Sequence, residues 1–259
     1  QSRMLIRNRP ATTTPPKVES TTSVDARNSL LLATSPSPLP TLVSLARSTS
    51  PQIRRLTSAA FLALAEQSKH RGQLIQGGVA KALLNVLRHV TPPLCQEDLA
   101  AIQALAKLLI TTSPDLALGP TSQSQYLVDA INVLVLPLAI NDEGEEGLRG
   151  LLLLRFECMM ALTNIASLDG ALAEKIAGKN LLSGREESST GGGADQSHGR
   201  SLLLLVEELM VNDNTLVSRA ATQFMCNLAF TNVGSAYYIS SMEPGAEVTL
   251  RLSPRLRLL

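Results

Sequence analysis

The segments that decide the fold read RFECMMALTNIA, at residues 155–166, and LVSRAATQFMCNLA, at residues 216–229. In each of them apolar residues recur at intervals of three and four, and a single Asn, Asn164 or Asn227, stands near the end. Such spacing places the apolar side chains along one side of an α-helix. Both segments are therefore predicted to be helices that bury one face.

The same mixture of small residues and Leu recurs at residues 53–65 and 100–109. Superposing the four segments aligns Ala63, Ala104, Asn164 and Asn227, at successive intervals of 41, 60 and 63 residues. The first interval fits an armadillo or HEAT repeat of ~40 to 47 residues. The two longer intervals are assigned to insertions, since long surface loops cost little free energy. These insertions are residues 111–125, 141–147 and 183–200.

A repeat of this kind buries its apolar face only by stacking on its neighbour. The sequence therefore predicts an all-α fold: an armadillo/HEAT-like α-α superhelix, a right-handed solenoid of about four repeats with loop insertions. Residues 1–38 are predicted to be a disordered leader because they are rich in Ser, Thr and Pro. The repeat domain is placed at 39–242, with a flexible insertion at 183–200, and residues 243–259 are predicted to be an irregular basic tail.

Composition excludes several classes of function. Lys and Arg total 23 against 22 Asp and Glu, so no overall field favours nucleic acid. No apolar run approaches the roughly 18 residues of a membrane span, which predicts a protein without a membrane partner. Cys95, Cys158 and Cys226 lie far apart and are predicted to be buried thiols of a reducing compartment, taken to be the cytoplasm.

Motifs for catalysis or ligand binding are not found in the sequence. His70, His89 and His198 are scattered away from the cysteines, so no metal site is expected. Residues 191–193 are a Gly run in a polar stretch, which indicates a flexible linker rather than a phosphate cradle. No Ser lies in a nucleophile elbow. We therefore predict no catalytic residue, no cofactor and no enzyme activity.

The two Asn residues permit two interpretations. On an exposed helix stripe, an amide can pair in both directions with the backbone of an extended peptide. Alternatively, Asn164 and Asn227 could bond to carbonyl groups of the adjacent repeat and hold the stack together. Both interpretations satisfy an amide that would otherwise cost about 1 to 3 kcal/mol when buried.

Three longer segments, taken together, resemble the UCS-domain family of myosin-directed chaperones. They are residues 42–84 (LVSLARSTSPQIRRLTSAAFLALAEQSKHRGQLIQGGVAKALL), 101–118 (AIQALAKLLITTSPDLAL) and 216–231 (LVSRAATQFMCNLAFT). The resemblance implies a superhelical armadillo domain whose groove engages the myosin motor domain, assisting its folding and preventing its aggregation without ATP hydrolysis. The resemblance further implies that the protein acts in the cytoplasm as a co-chaperone of the heat-shock chaperones.

The resemblance extends to individual positions through helical spacing backwards from each Asn. It implies a partner-binding groove formed by Glu157, Met160, Asn164, Arg219, Gln223 and Asn227. Animal members of the family dock the heat-shock chaperones through an N-terminal tetratricopeptide module, and no such pattern precedes Leu39 in this sequence. We therefore assign no segment of this sequence to direct binding of the heat-shock chaperones.

Two other binding functions remain open. A nuclear-import adaptor also carries ALTNIA-like helices, but it pairs each groove Asn with a Trp one turn earlier, where this sequence has Met160 or Gln223. The sequence contains no Trp, which disfavours that function. A generic armadillo scaffold for another protein is the second alternative.

Overall fold

A computed structural model describes residues 37–120, 124–140, 145–181 and 200–239, together with the side chains of these residues except 145–149. The described residues from Pro38 onward lie in one compact unit. They form twelve α-helices, a short 3₁₀-helix and one pair of two-residue strands. Three predicted segments lie largely outside the described residues: positions 1–36 of the leader predicted at 1–38, positions 183–199 of the insertion predicted at 183–200, and all of the tail predicted at 243–259.

The helices follow one another with short connections. Their bounds are α1 Leu39–Leu45, α2 Pro51–Glu66, α3 Ser68–Gln76, α4 Val79–Leu87, α5 Gln96–Thr111, α6 Pro114–Leu118, α7 Gln125–Leu134, α8 Glu145–Ala166, α9 Gly170–Ala177, α10 Leu202–Met210, α11 Thr215–Ala229 and α12 Asn232–Ile239. The 3₁₀-helix Leu136–Ala139 follows α7, and strands β1 Asn180–Leu181 and β2 Arg200–Ser201 pair antiparallel before α10.

Polar residues mark where several helices begin. The Asn214 side chain accepts hydrogen bonds from the backbone N–H groups of Leu216 and Val217, at 3.0 and 3.2 Å, at the start of α11. Asp169 accepts one from Ala171 at the start of α9. These caps satisfy backbone donors that have no partner within the helix, so the sequence itself fixes the two starting points.

The helices group into repeats of three, and the third helix is the longest of each repeat. Helices α3, α4 and α5 make one repeat, α6, α7 and α8 the next, and α9, α10 and α11 the third, preceded by α1 and α2 and followed by α12. The third helices form one layer, because α2 packs on α5, α5 on α8, and α8 on α11. We call this the third-helix layer. It confirms the predicted armadillo-like solenoid.

Small and aliphatic side chains fill the space between these helices. Ala101, Ala104, Ala161 and Ala221 are fully buried and let neighbouring helices approach closely. Larger side chains fill the remaining volume, and the two largest that are fully buried are Phe61 on α2 and Phe224 on α11. At roughly 25 cal/mol per Å² of buried apolar surface, contacts between repeats supply much of the stability of such a stack.

Several local expectations differ from the structure. Helix α6 lies inside the predicted insertion at 111–125, where Pro114 begins a single short helix. Helix α8 begins at Glu145, so the end of the predicted insertion at 141–147 is helical. Cys158 is buried as predicted, whereas Cys95 and Cys226 are exposed, because Cys95 precedes α5 and Cys226 lies on the outward side of α11. Within the described residues, no helix is long and apolar enough to cross a membrane.

Candidate protein-binding face

The accessible side of the third-helix layer carries side chains at helical spacing on three successive helices. On each helix one residue follows another after three, four or seven positions, so the side chains share one side. We call this set the third-helix face: Gln103 and Lys107 on α5, Leu153, Met160 and Asn164 on α8, and Leu216, Arg219, Gln223 and Asn227 on α11.

Five of the six predicted groove residues lie on this face with accessible side chains. Arg219 and Gln223 are exposed, and Met160, Asn164 and Asn227 are half-buried. The sixth, Glu157, is on the same side of α8 but only 7% exposed. Its position is therefore as the spacing predicted, while its carboxylate is turned to the neighbouring helix.

Glu157 joins α8 to α5 through both carboxylate oxygens. Lys107 Nζ lies 2.6 Å from Oε1, and Gln103 Nε2 donates to Oε2 at 3.0 Å. The Lys107 and Glu157 side chains are 11% and 9% exposed, so this ion pair is nearly buried. A carboxylate so engaged cannot readily bond to a partner, and we leave Glu157 out of the proposed contact surface.

The two Asn residues make different contacts. Asn164 Nδ2 donates to the carbonyls of Leu109 and Ile110 at 3.0 and 3.1 Å. Both carbonyls lie in the last turn of α5, where they have no partner within the helix. Within the part of the chain that the structure describes, Asn227 Nδ2 makes a single long bond, of 3.4 Å to Ser167 Oγ. Asn164 thus acts as a bridge between repeats, whereas the amide of Asn227 is almost free of internal contacts.

Burial also changes the alignment of the repeats. Lys107 is partly buried between two buried pairs, Leu105–Ala106 and Leu108–Leu109, just as Asn164 lies between buried neighbours on both sides. Ala104 is fully buried and belongs to the core. Lys107, rather than Ala104, is therefore the structural equivalent of Asn164. The superposition of the four sequence segments missed this equivalence because it matched small residues instead of the half-buried polar position.

The face also contains apolar side chains that sequence reasoning did not single out. Leu153 and Leu216 are 46% and 56% exposed, although both are large and apolar. Each stands eleven residues before the Asn of its own helix, which places them in the same row of the layer. Phe156, half-buried on α8, lies between Leu153 and Met160 along the chain. The equal spacing of Leu153 and Leu216 from the Asn of their helices was the signal in the sequence that could have identified them.

The accessible charge on the face is positive. Lys107 is neutralised by Glu157, and Arg219 makes no hydrogen bond or ion pair with any described residue. Together with Gln103, Gln223 and Asn227, these side chains offer donors and acceptors beside the exposed Leu residues. Such a mixture fits a protein segment that presents both backbone groups and apolar side chains.

Chemical groups suited to catalysis are not assembled on this face. Burial raises the pKa of the Cys158 thiol well above its ordinary value, so the thiol stays protonated at neutral pH. Among the described residues, no three His, Cys, Asp or Glu side chains cluster as metal ligands would.

Comparisons with known proteins identify relatives of the repeat region. No protein-family model matches the sequence. Over 177 residues the chain is 27% identical to Protein unc-45 homolog B of Danio rerio and 25% identical to its counterpart in Homo sapiens. Each match covers 68% of this chain and 15% of the relative. The chain thus spans about 15% of the length of these curated relatives.

Two solved structures share the fold. UNC-45 from Drosophila melanogaster superimposes with a TM-score of 0.62 at 22% identity, covering 94% of this chain and 27% of that one. She4p superimposes with a TM-score of 0.58 at 19% identity, covering 89% of this chain and 30% of that one. The protein is an armadillo-like helical solenoid. The resemblance of its repeat region to the UCS-domain family is confirmed by these relatives.

Proposed function

We propose that this chain binds the motor domain of a myosin along the third-helix face, assisting its folding and preventing its aggregation without hydrolysing nucleotide. The proposal combines the family resemblance with one structural observation. That observation is a row of accessible amide, Arg and Leu side chains on α8 and α11 whose hydrogen-bonding groups are largely unused, above all Arg219, Gln223 and Asn227.

Such a face suits an unfolded or partly folded client. Exposed Leu153 and Leu216 offer apolar contacts to chain segments that a native client would bury, while nearby amides pair with its backbone. Each contact contributes little by itself, so binding is broad and reversible. We propose that covering apolar segments in this way keeps client molecules from associating with one another.

The charge of the face argues against the nuclear-import alternative. A groove for a basic localisation peptide needs carboxylates or aromatic rings that attract Lys side chains. Here the accessible cation is Arg219, and Met160 and Gln223 stand where such adaptors place Trp. A scaffold for a different protein would use the same face and differs from our proposal only in the partner.

Cooperation with the heat-shock chaperones and a cytoplasmic location are part of the proposal for the whole protein. They rest on the family resemblance alone, and no described residue is assigned to contact those chaperones. The motor-domain client is therefore the part of the proposal that this chain can test by itself.

The decisive assay follows light scattering from a myosin motor fragment during heating, with and without the chain. We expect the chain to suppress aggregation when present in equal or moderate molar excess, and a basic nuclear-localisation peptide neither to bind nor to compete. Binding of that peptide, combined with unprotected myosin, would instead support the import-adaptor function. If the chain neither protects the myosin fragment nor binds the peptide, the result would favour a scaffold for another partner.

The two Asn residues allow a matched test of the face. We expect Asn227→Ala to raise the concentration needed for half-maximal protection roughly threefold to tenfold, because one or two bonds to the client are lost. Thermal stability should stay within about 0.5 kcal/mol of the parent, since Asn227 makes only one long internal bond. Circular dichroism melting and the scattering assay measure the two quantities.

Asn164→Ala and Gln73→Ala are the controls. Asn164→Ala should lower stability by about 1 to 3 kcal/mol, because it removes two bonds to the end of α5. Gln73 is exposed on α3, a helix that carries no residue of the face, so Gln73→Ala should change neither quantity. A large loss of stability in Asn227→Ala, with protection unchanged in the remaining folded protein, would show that both Asn residues serve only the stack.

A further inference from the structure

A separate concave surface lies between the first helices of the described chain and the start of α5. It is a cavity of about 1180 Å³ between the end of α1, the start of α2, the end of α4 and the start of α5. Four Arg side chains line it: Arg47, Arg54, Arg55 and Arg88. We call it the arginine cavity. No residue of the third-helix face contributes to its lining, so it does not depend on the proposed function.

The cavity carries an excess of positive charge. Arg55 pairs with Glu97, which neutralises one of the four cations. Arg54 Nη1 donates to the carbonyls of Ser48 and Thr49 at 2.8 and 3.1 Å, and these neutral groups hold the guanidinium in place without cancelling its charge. The Arg54 guanidinium is therefore held in position and keeps its positive charge.

Arg47 and Arg88 are exposed, and neither makes a hydrogen bond or ion pair with any described residue. The remaining carboxylate in the lining, Asp98, accepts bonds from the backbone N–H and Sγ of Cys95 at 3.1 and 3.0 Å. It thereby caps the start of α5. Three Arg cations thus face one capping carboxylate, and a concave surface dominated by one sign of charge concentrates ions of the opposite sign.

We propose that the arginine cavity binds an acidic segment of a protein partner. Guanidinium groups bind carboxylates through two parallel hydrogen bonds, and Arg47 and Arg88 have their donors free for this. The volume exceeds the roughly 300 to 1,000 Å³ of small-molecule pockets, so a short peptide is the fitting occupant. Polar side chains of Ser50 and Asn85 in the lining can bond to the peptide backbone.

The chain's own leader does not match the charge of the cavity. Residues 1–36 contain five basic side chains and two acidic ones, namely Arg3, Arg7, Arg9, Lys17 and Arg27 against Glu19 and Asp25. Like charges oppose such an intramolecular contact, so an acidic segment from another molecule is the better match. A single-stranded nucleic acid fits less well, because no Phe, Tyr or Trp among the described residues lines the cavity to stack with bases.

The test measures binding of fluorescein-labelled hexaglutamate to the full chain by fluorescence anisotropy, with hexaglutamine as the uncharged peptide. At low salt we expect the chain to bind hexaglutamate more tightly than hexaglutamine. The double variant Arg47→Glu with Arg88→Glu should weaken hexaglutamate binding at least about tenfold. The control combines Lys69→Glu with Lys175→Glu, which makes the same change in net charge at exposed positions outside the cavity. It should alter binding less than about twofold.

Three results would overturn the proposal. They are equal binding of hexaglutamate and hexaglutamine, unchanged hexaglutamate binding by the cavity variant, and tighter binding of labelled hexauridylate than of hexaglutamate. Circular dichroism checks the fold of each variant. If the charge reversal unfolds the chain, Arg47→Gln with Arg88→Gln removes the cations without introducing repulsion and answers the same question.

Discussion

Phe224→Ala is expected to lower the free energy of unfolding by about 3 to 5 kcal/mol, the largest effect of any single change considered for this chain. Phe224 is fully buried on α11, which packs on α8 and α10. Removing the ring loses apolar contact and leaves a cavity that helices held by neighbours on several sides cannot close. Because stability in a stack is largely a sum of terms between neighbours, the loss should concentrate in the last repeat.

Thermal melting and amide hydrogen exchange test this prediction together. Exchange should accelerate most in α10, α11 and α12, while α4 and α5 keep most of their protection. Phe230→Ala is the matched control, since Phe230 is 91% exposed just after the same helix and should change stability by less than about 0.5 kcal/mol. Equal losses in the two variants would mean that the packing assigned to α11 is wrong.

Glu157→Ala is expected to reduce the free energy of unfolding by about 2 to 4 kcal/mol. This loss is at or slightly below the usual cost of breaking a fully buried ion pair, because about a tenth of each side chain stays exposed to solvent. The change leaves Lys107 with an uncompensated charge in a nearly buried position. It also removes the acceptor for Gln103 Nε2. A fall in melting temperature of roughly 5 to 12 °C should follow for a domain of this size.

The double variant Lys107→Met with Glu157→Leu separates the charge from the packing. Apolar side chains of similar volume often replace a buried ion pair at little cost, so this variant should recover most of the lost stability. If the double variant is as unstable as Glu157→Ala, the stability comes from the ion pair and its hydrogen bonds, because the apolar side chains keep the volume but not the pairing. If Glu157→Ala melts as the parent does, the bridge between α5 and α8 is not a stabilising contact.

Much of the fold was predictable because it depends on a local pattern. Apolar spacing identified the helices α2, α5, α8 and α11, and the recurrence of that pattern indicated stacking. Helix α6 and the β1–β2 pair were missed because neither leaves a periodic signal, since each contains too few residues to complete one. The start of α8 at Glu145 was missed because acidic residues and Gly resemble a loop, although acidic residues also favour the start of a helix.

The candidate site was less predictable, because it depends on which residue of a neighbouring repeat lies opposite. Helical spacing placed Met160, Gln223 and Asn227 correctly on one side. It gave no information on partners about fifty residues away, so the burial of Glu157 against Lys107 and Gln103 was not foreseen. The difference between Asn164 and Asn227 has the same origin, since two similar local sequences face different groups: carbonyls in the last turn of α5 for Asn164, and the Ser167 hydroxyl just after α8 for Asn227.

Site-directed photo-crosslinking tests the central claim, that the third-helix face contacts the client, most directly. A photo-reactive amino acid is placed at exposed Gln223 on α11 or, for comparison, at exposed Lys69 on α3, and each variant is irradiated with a myosin motor fragment. The proposed function predicts crosslinks to the motor fragment from position 223 and few or none from position 69. Crosslinking from position 69 alone, or equally from both, would contradict it.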